Sequence, residues 1–246
     1  MNPRDDSLAA RLEASLRRDI AQLGAMPDSA VGRRAGRRML DVATHAPAFL
    51  CLLVEPLLEG DSAARLATLE DCARVHLYAR VLDDALDENL PLDRRNLLRI
   101  QPQYWRAVYS LGARHPAHAA GAAALVEDTV AAVAIDDAAA TPGEWGRKNA
   151  HLLLAPLLLS GDSAAWRAAA PGLLALLALD QAGDELAQGR LVTSGPRAEL
   201  AACLEHWLDP AAIEALRRHG WRQAAARLLH DGAALLRILT TNGLPA

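Results

Sequence analysis

Apolar residues recur along the chain with the 3.6-residue period of amphipathic helices, and no run shows the two-residue alternation of a half-buried strand. The pattern predicts nine or ten helices, at residues 5–24, 36–58, 62–89, 93–113, 117–139, 143–160, 163–189, 197–207, 210–219 and 221–241. Stop signals separate them: EGDS at 59–62, NLP at 89–91, ARHP at 113–116, TPGE at 141–144, SGDS at 160–163 and TSGP at 193–196. The gaps are short, so successive helices should pack antiparallel as a bundle. EGDSAARL (59–66) and SGDSAAWR (160–167) share an N-cap signal and nothing longer, so they do not mark a repeat. No Pro/Ser-rich linker divides the chain. The expectation is one all-α domain over residues 1–246, a single-domain helical bundle.

Composition narrows the function classes. Hydrophobic residues make up 52% and charged residues 23%, enough apolar material for a sizeable core. A net charge of −4 argues against bulk nucleic-acid binding. Cys51, Cys72 and Cys203 are odd in number and lack CxxC spacing, which disfavours structural zinc and a disulfide framework and fits a reducing cytoplasm. The charged, amphipathic N-terminus is no signal peptide, and the longest charge-free stretch, 168–179, is too short for a membrane span.

Two segments depart from ordinary helix patterning. In YARVLDDALDEN (78–89), Asp83, Asp84, Asp87 and Glu88 fall within an arc of about 140° on a helix, with Arg80 in the same arc. Tyr78, Leu82, Ala85 and Leu86 take the opposite, core side. A solvated acidic stripe would read the same way, but acids near a helix C-terminus oppose the macrodipole, and HLYARVL is apolar enough for a buried helix. Oxygen ligands one turn apart suit Mg²⁺, which takes one or two carboxylates, waters and a substrate phosphate. In LLALLALDQAGDELAQGR (173–190), Asp180, Asp184 and Gln188 share one face, with Gln181 and Glu185 beside them. Two such acid-tipped helices can face each other and clamp metal ions. Among 26 Lys plus Arg the only lysine is Lys148, in EWGRKNAHLLLAPLLL. A coding bias toward Arg could leave one lysine; an ammonium acting as a point charge for phosphate is the functional reading.

These motifs resemble the class I isoprenoid synthase superfamily, the trans-prenyl diphosphate synthase-like proteins. RVLDDALDE (80–88) resembles its first aspartate-rich motif, with wording closest to squalene and phytoene synthases. EWGRKNAHLLLAPLLLSG (144–161) is similar to the helix carrying a diphosphate-binding lysine. QAGDELAQ (181–188) resembles the second motif, with Glu185 and Gln188 in place of its last two acids. GRRAGRRML (32–40) resembles the basic N-terminal loop that binds isopentenyl diphosphate. Order and rough spacing hold over residues 32–190; no motif falls after 190. The resemblance implies an isoprenoid synthase-type bundle with a central apolar cavity. It implies Mg²⁺, typically three ions, held by Asp83, Asp84, Asp87, Asp184, Glu185 and Gln188, and a prenyl diphosphate bound by Arg80, Lys148, Arg94, Arg95 and Arg34. Asp83, Asp84, Asp87 and Asp184 would serve ionisation of an allylic diphosphate, which needs no protein nucleophile.

The departures choose among subclasses. The arginine pair, Arg94 and Arg95, comes two residues late, past Pro91, and the second motif has lost two acids. A one-substrate terpene synthase is therefore expected ahead of a prenyltransferase condensing prenyl diphosphates, by chain elongation or head to head. A non-catalytic regulatory homologue, favoured by DExxQ in place of DDxxD, is the alternative from another class. A helical scaffold with two accidental acid patches is a third. No HxxxH or HExxH occurs, so a zinc hydrolase has no support. His76 reads as a core histidine. The partners expected are a prenyl diphosphate and, at most, a second copy of the chain in a homodimer, with no nucleic acid and no membrane span.

Overall fold

The computed structural model describes residues 7–22, 30–58, 63–87, 94–133, 141–161, 163–187, 189 and 194–241. Among them every regular element is helical and none is a strand. Ala and Leu, strong helix formers, supply most of the chain, and few β-branched residues compete. The α-helices are α1 (Leu8–Gln22), α2 (Ala30–Leu53), α3 (Ala63–Asp87), α4 (Arg94–Arg114), α5 (Ala119–Val133), α6 (Trp145–Lys148), α7 (Leu154–Ser160), α8 (Ala164–Ala187), α9 (Ser194–Trp207), α10 (Pro210–Arg218) and α11 (Arg222–Thr241). Capping fixes several starts. Ser7 Oγ accepts from the Ala10 amide, Ser163 Oγ from Trp166, and an Asp209 carboxylate oxygen from Ala211.

Two expectations fail locally. The helix predicted over 143–160 is broken: α6 ends at Lys148, a 3-10 turn runs Ala150–Leu153, and α7 follows. Pro156 cannot bond back to the Leu152 carbonyl and sits in the first turn of α7, where a missing N–H costs nothing. The GRRAGRR segment, expected as a basic loop or turn, lies inside α2.

The helices fall into two compact units, one of residues 1–54 and 58–119, the other of 55–57 and 120–246. In the first, α3 is the central helix, packed by α1, α2 and α4. Leu12, Leu16, Met39, Leu50, Leu69 and Ala73 form its core, each at most 1% exposed. A charged network ties three helices together across it. Arg74 donates to Asp19 of α1 at 2.6 Å and to Asp71 at 2.6 Å, while Arg114 of α4 reaches the other Asp71 oxygen at 2.5 Å. In the second, α8 is central, packed by α6, α7, α9, α10 and α11. Glu55–Leu57 belongs here: Glu55 accepts from the Gln223 amide at the start of α11, and Pro56 lies against Gly220.

Candidate functional site

Each acid motif occupies the C-terminal end of the central helix of its own unit. In α3 the expectation of a buried segment before the motif holds only in part: His76 is 9% exposed, Leu77 4% and Val81 2%, whereas Tyr78, Ala79 and Arg80 are partly exposed. Helical register continues Asp83 from His76 and Leu69, both buried, and Asp83 itself is partly exposed. The expected core side is corrected in part. Leu82 is 36% exposed and Tyr78 only half-buried, stacked on Tyr104 at 4.2 Å. Burial and the neighbouring Tyr78 raise the Tyr104 pKa. The Asp83 carboxylate accepts from Arg80 at 2.7 Å, one turn earlier. Asp84 and Asp87 are on α3, but their side chains, and all of Glu88, lie outside the described residues. Arg94 and Arg95 open α4, and Arg34 lies in α2, again without described side chains.

In the second unit the structure joins the lysine-bearing segment to the second acid motif. Gly146 makes this possible: a Cβ there would stand 2.7 Å from the Leu174 carbonyl oxygen of α8. That close approach brings Asn149 Nδ2 within 3.3 Å of Gln181 Oε1, and Gln181 Nε2 donates to Glu185 at 2.7 Å. Lys148, half-buried, immediately precedes Asn149. Its neighbour Arg147 is engaged elsewhere, donating to Asp128 of α5 at 2.7 Å, which raises the guanidinium pKa.

The face assignment on α8 differs from the sequence reading. Glu185, expected beside the main face, is the inward carboxylate at 9% exposure, in line with buried Ala175, Ala178 and Ala182. Asp180 and Asp184 are exposed, and Asp180 accepts from Arg227 of α11 at 2.7 Å. Gln188 lies outside the described residues. Asn149 and Arg227 were not singled out from sequence. The first sits beside the lone lysine at the entrance to an apolar run; the second belongs to a tail without motifs.

Among the described residues no group of three or more His, Cys, Asp or Glu is arranged as a metal cage. The donor chemistry nevertheless fits Mg²⁺, which takes one or two carboxylates and fills its octahedron with water and phosphate oxygens. Glu185 and Asp83 each present carboxylate oxygen near the negative end of a long helix dipole, where a cation is favoured. No helix among the described residues is long and apolar enough to cross a membrane. No protein-family model matches the chain, and no curated protein and no solved structure matches it either.

Proposed function

We propose that the protein is a class I terpene synthase that ionises an allylic prenyl diphosphate and releases diphosphate. The observation that carries this reading is the Asn149–Gln181–Glu185 chain beside Lys148. A buried carboxylate and a lysine-bearing turn, joined by amides at the tip of an apolar helix, suit a cation–diphosphate pair. Asp83, Asp84, Asp87, Asp184, Glu185 and Gln188 would hold Mg²⁺. Bound Mg²⁺ would neutralise the charge that develops on departing diphosphate. The protein's own contribution is binding and exclusion of water. Lys148 gives the diphosphate a point charge, with Arg80, Arg94, Arg95 and Arg34 as further cations. Gln181 orients the Glu185 carboxylate. Apolar walls deny water to the allylic cation, as differential stabilisation of the transition state requires. The superfamily's central cavity and a cytoplasmic location belong to the same proposal.

The test is incubation with ten-, fifteen- and twenty-carbon prenyl diphosphates and Mg²⁺, with and without isopentenyl diphosphate, followed by gas chromatography and mass spectrometry. Hydrocarbon or alcohol from an allylic diphosphate alone supports the synthase. Longer prenyl products formed only with isopentenyl diphosphate replace it with a prenyltransferase.

One observation favours a non-catalytic homologue as the second reading. Arg227 ties up Asp180, so part of the second acid cluster is satisfied within the chain. No turnover, with no thermal stabilisation by Mg²⁺ plus inorganic diphosphate, would move the conclusion there.

A further inference from the structure

The outward face of α4 is apolar and basic with no acid anywhere in the helix. Leu98, Pro102, Trp105, Arg106 and Tyr109 follow one another at helical spacing along that face, and all are exposed. Three are large and apolar: Leu98 is 55% exposed, Trp105 51% and Tyr109 73%. The opposite face is core, with Ile100 at 3%, Ala107 at 0% and Leu111 at 6%. Trp105 packs on Tyr104 at 5.4 Å and Tyr109 at 6.2 Å between ring centroids, so the aromatics form a continuous ridge. Packing on the first unit's core does not account for such a ridge.

We propose that this face of α4 docks on the surface of a bilayer containing anionic lipid. Trp and Tyr favour the headgroup level, where an apolar ring and a polar edge are both satisfied. Arginine extends its stem over apolar surface and keeps its charge at the phosphates. α4 carries five arginines, of which Arg114 turns inward to Asp71 and Arg106 lies exposed on the ridge itself. A second copy fits less well. A two-fold contact would set α4 against α4, arginine against arginine, with no acid on either helix to compensate. A convex ridge also suits a deformable headgroup layer better than the pockets in which protein partners seat their anchors. One amphipathic helix gives weak, reversible attachment.

The full chain reports on this by itself, without substrate. Trp105 is the exposed tryptophan, whereas Trp145, Trp166, Trp207 and Trp221 are at most 8% exposed. With vesicles of phosphatidylcholine plus phosphatidylglycerol, the protein should co-sediment, its emission should move to the blue, and brominated lipid should quench it. Phosphatidylcholine alone, or high salt, should abolish the effect. W105S/Y109S and R106E should each weaken binding on the order of tenfold or more. Circular dichroism should be unchanged, since all three side chains are on the surface. The proposal is overturned by absence of co-sedimentation, by equal binding of the variants, or by concentration-dependent dimerisation that W105S/Y109S abolishes.

Discussion

At the residue scale the sharpest question is which carboxylates matter, and the structure moves the weight on α8 from Asp184 to Glu185. Gln181→Ala removes one hydrogen-bond donor from the buried Glu185 carboxylate, which should cost about 1 kcal/mol. Glu185→Gln keeps the volume and removes the charge. It should abolish stabilisation by Mg²⁺ plus inorganic diphosphate in a thermal shift assay, while Asp184→Asn should reduce it less. Equal losses would return Asp184 to the inward role. Asp84→Asn and Asp87→Asn should leave the apo protein as stable or slightly more so, because mutual repulsion falls. Turnover of an allylic diphosphate should nevertheless drop by orders of magnitude, since leaving-group stabilisation is lost. Lys148→Ala should weaken diphosphate binding without unfolding the protein, and Lys148→Arg should not restore it fully, because a planar fork places its charge differently. Wild-type binding by both would leave Lys148 to coding bias.

At the element scale the helices were legible because their Ala- and Leu-rich bodies and their caps agree. Ser163 and Asp209 cap where the sequence signals them, and Gly189, at φ 72°, stands just past α8. The inward face of α8 was not legible, for a physical reason. From Ala168 to Leu179 the helix is apolar on all sides, so periodicity selects no face there. Only the alanine line Ala175–Ala178–Ala182 marks the side that α6 approaches, and Glu185 continues it. The break after Lys148 was equally hidden. Prolines are also tolerated inside α2, α4 and α8, so Pro156 alone did not announce it. The α6–α8 approach yields a paired prediction. Gly146→Ala pushes a methyl into the Leu174 carbonyl and should destabilise by about 1–3 kcal/mol. It should also weaken diphosphate binding by shifting Asn149 away from Gln181. Gly183, exposed on α8 with open space at its Cβ, is the control. Gly183→Ala should stabilise by about 0.5–1 kcal/mol through helix propensity alone. Chemical denaturation of the two variants checks both signs; a neutral Gly146→Ala would mean the helices are not held this closely.

At the scale of the whole molecule, each compact unit is built around its own central helix and core. The tryptophans divide between them in a useful way. Trp145, Trp166, Trp207 and Trp221 are buried in the second unit, and the first holds only Trp105, already half exposed. Emission therefore reports unfolding of the second unit, whereas far-UV circular dichroism reports helices in both. Asp71 offers a lever on the first unit alone. It is 6% exposed and compensates Arg74 and Arg114 at once, so Asp71→Asn leaves two partly buried guanidinium groups with less counter-charge. Breaking a buried pair of this kind costs on the order of 3 kcal/mol. If each unit unfolds on its own core, Asp71→Asn should lower the midpoint of an early, helix-detected transition and leave the emission midpoint unchanged. The chain crosses between the units three times, at 54–55, 57–58 and 119–120, and the Glu55–Leu57 turn supports the start of α11. Glu55→Ala should lower the emission midpoint through loss of the Gln223 contact within the second unit, by about 1 kcal/mol. A parallel shift of both probes in Asp71→Asn would show instead that the chain unfolds as a single cooperative body.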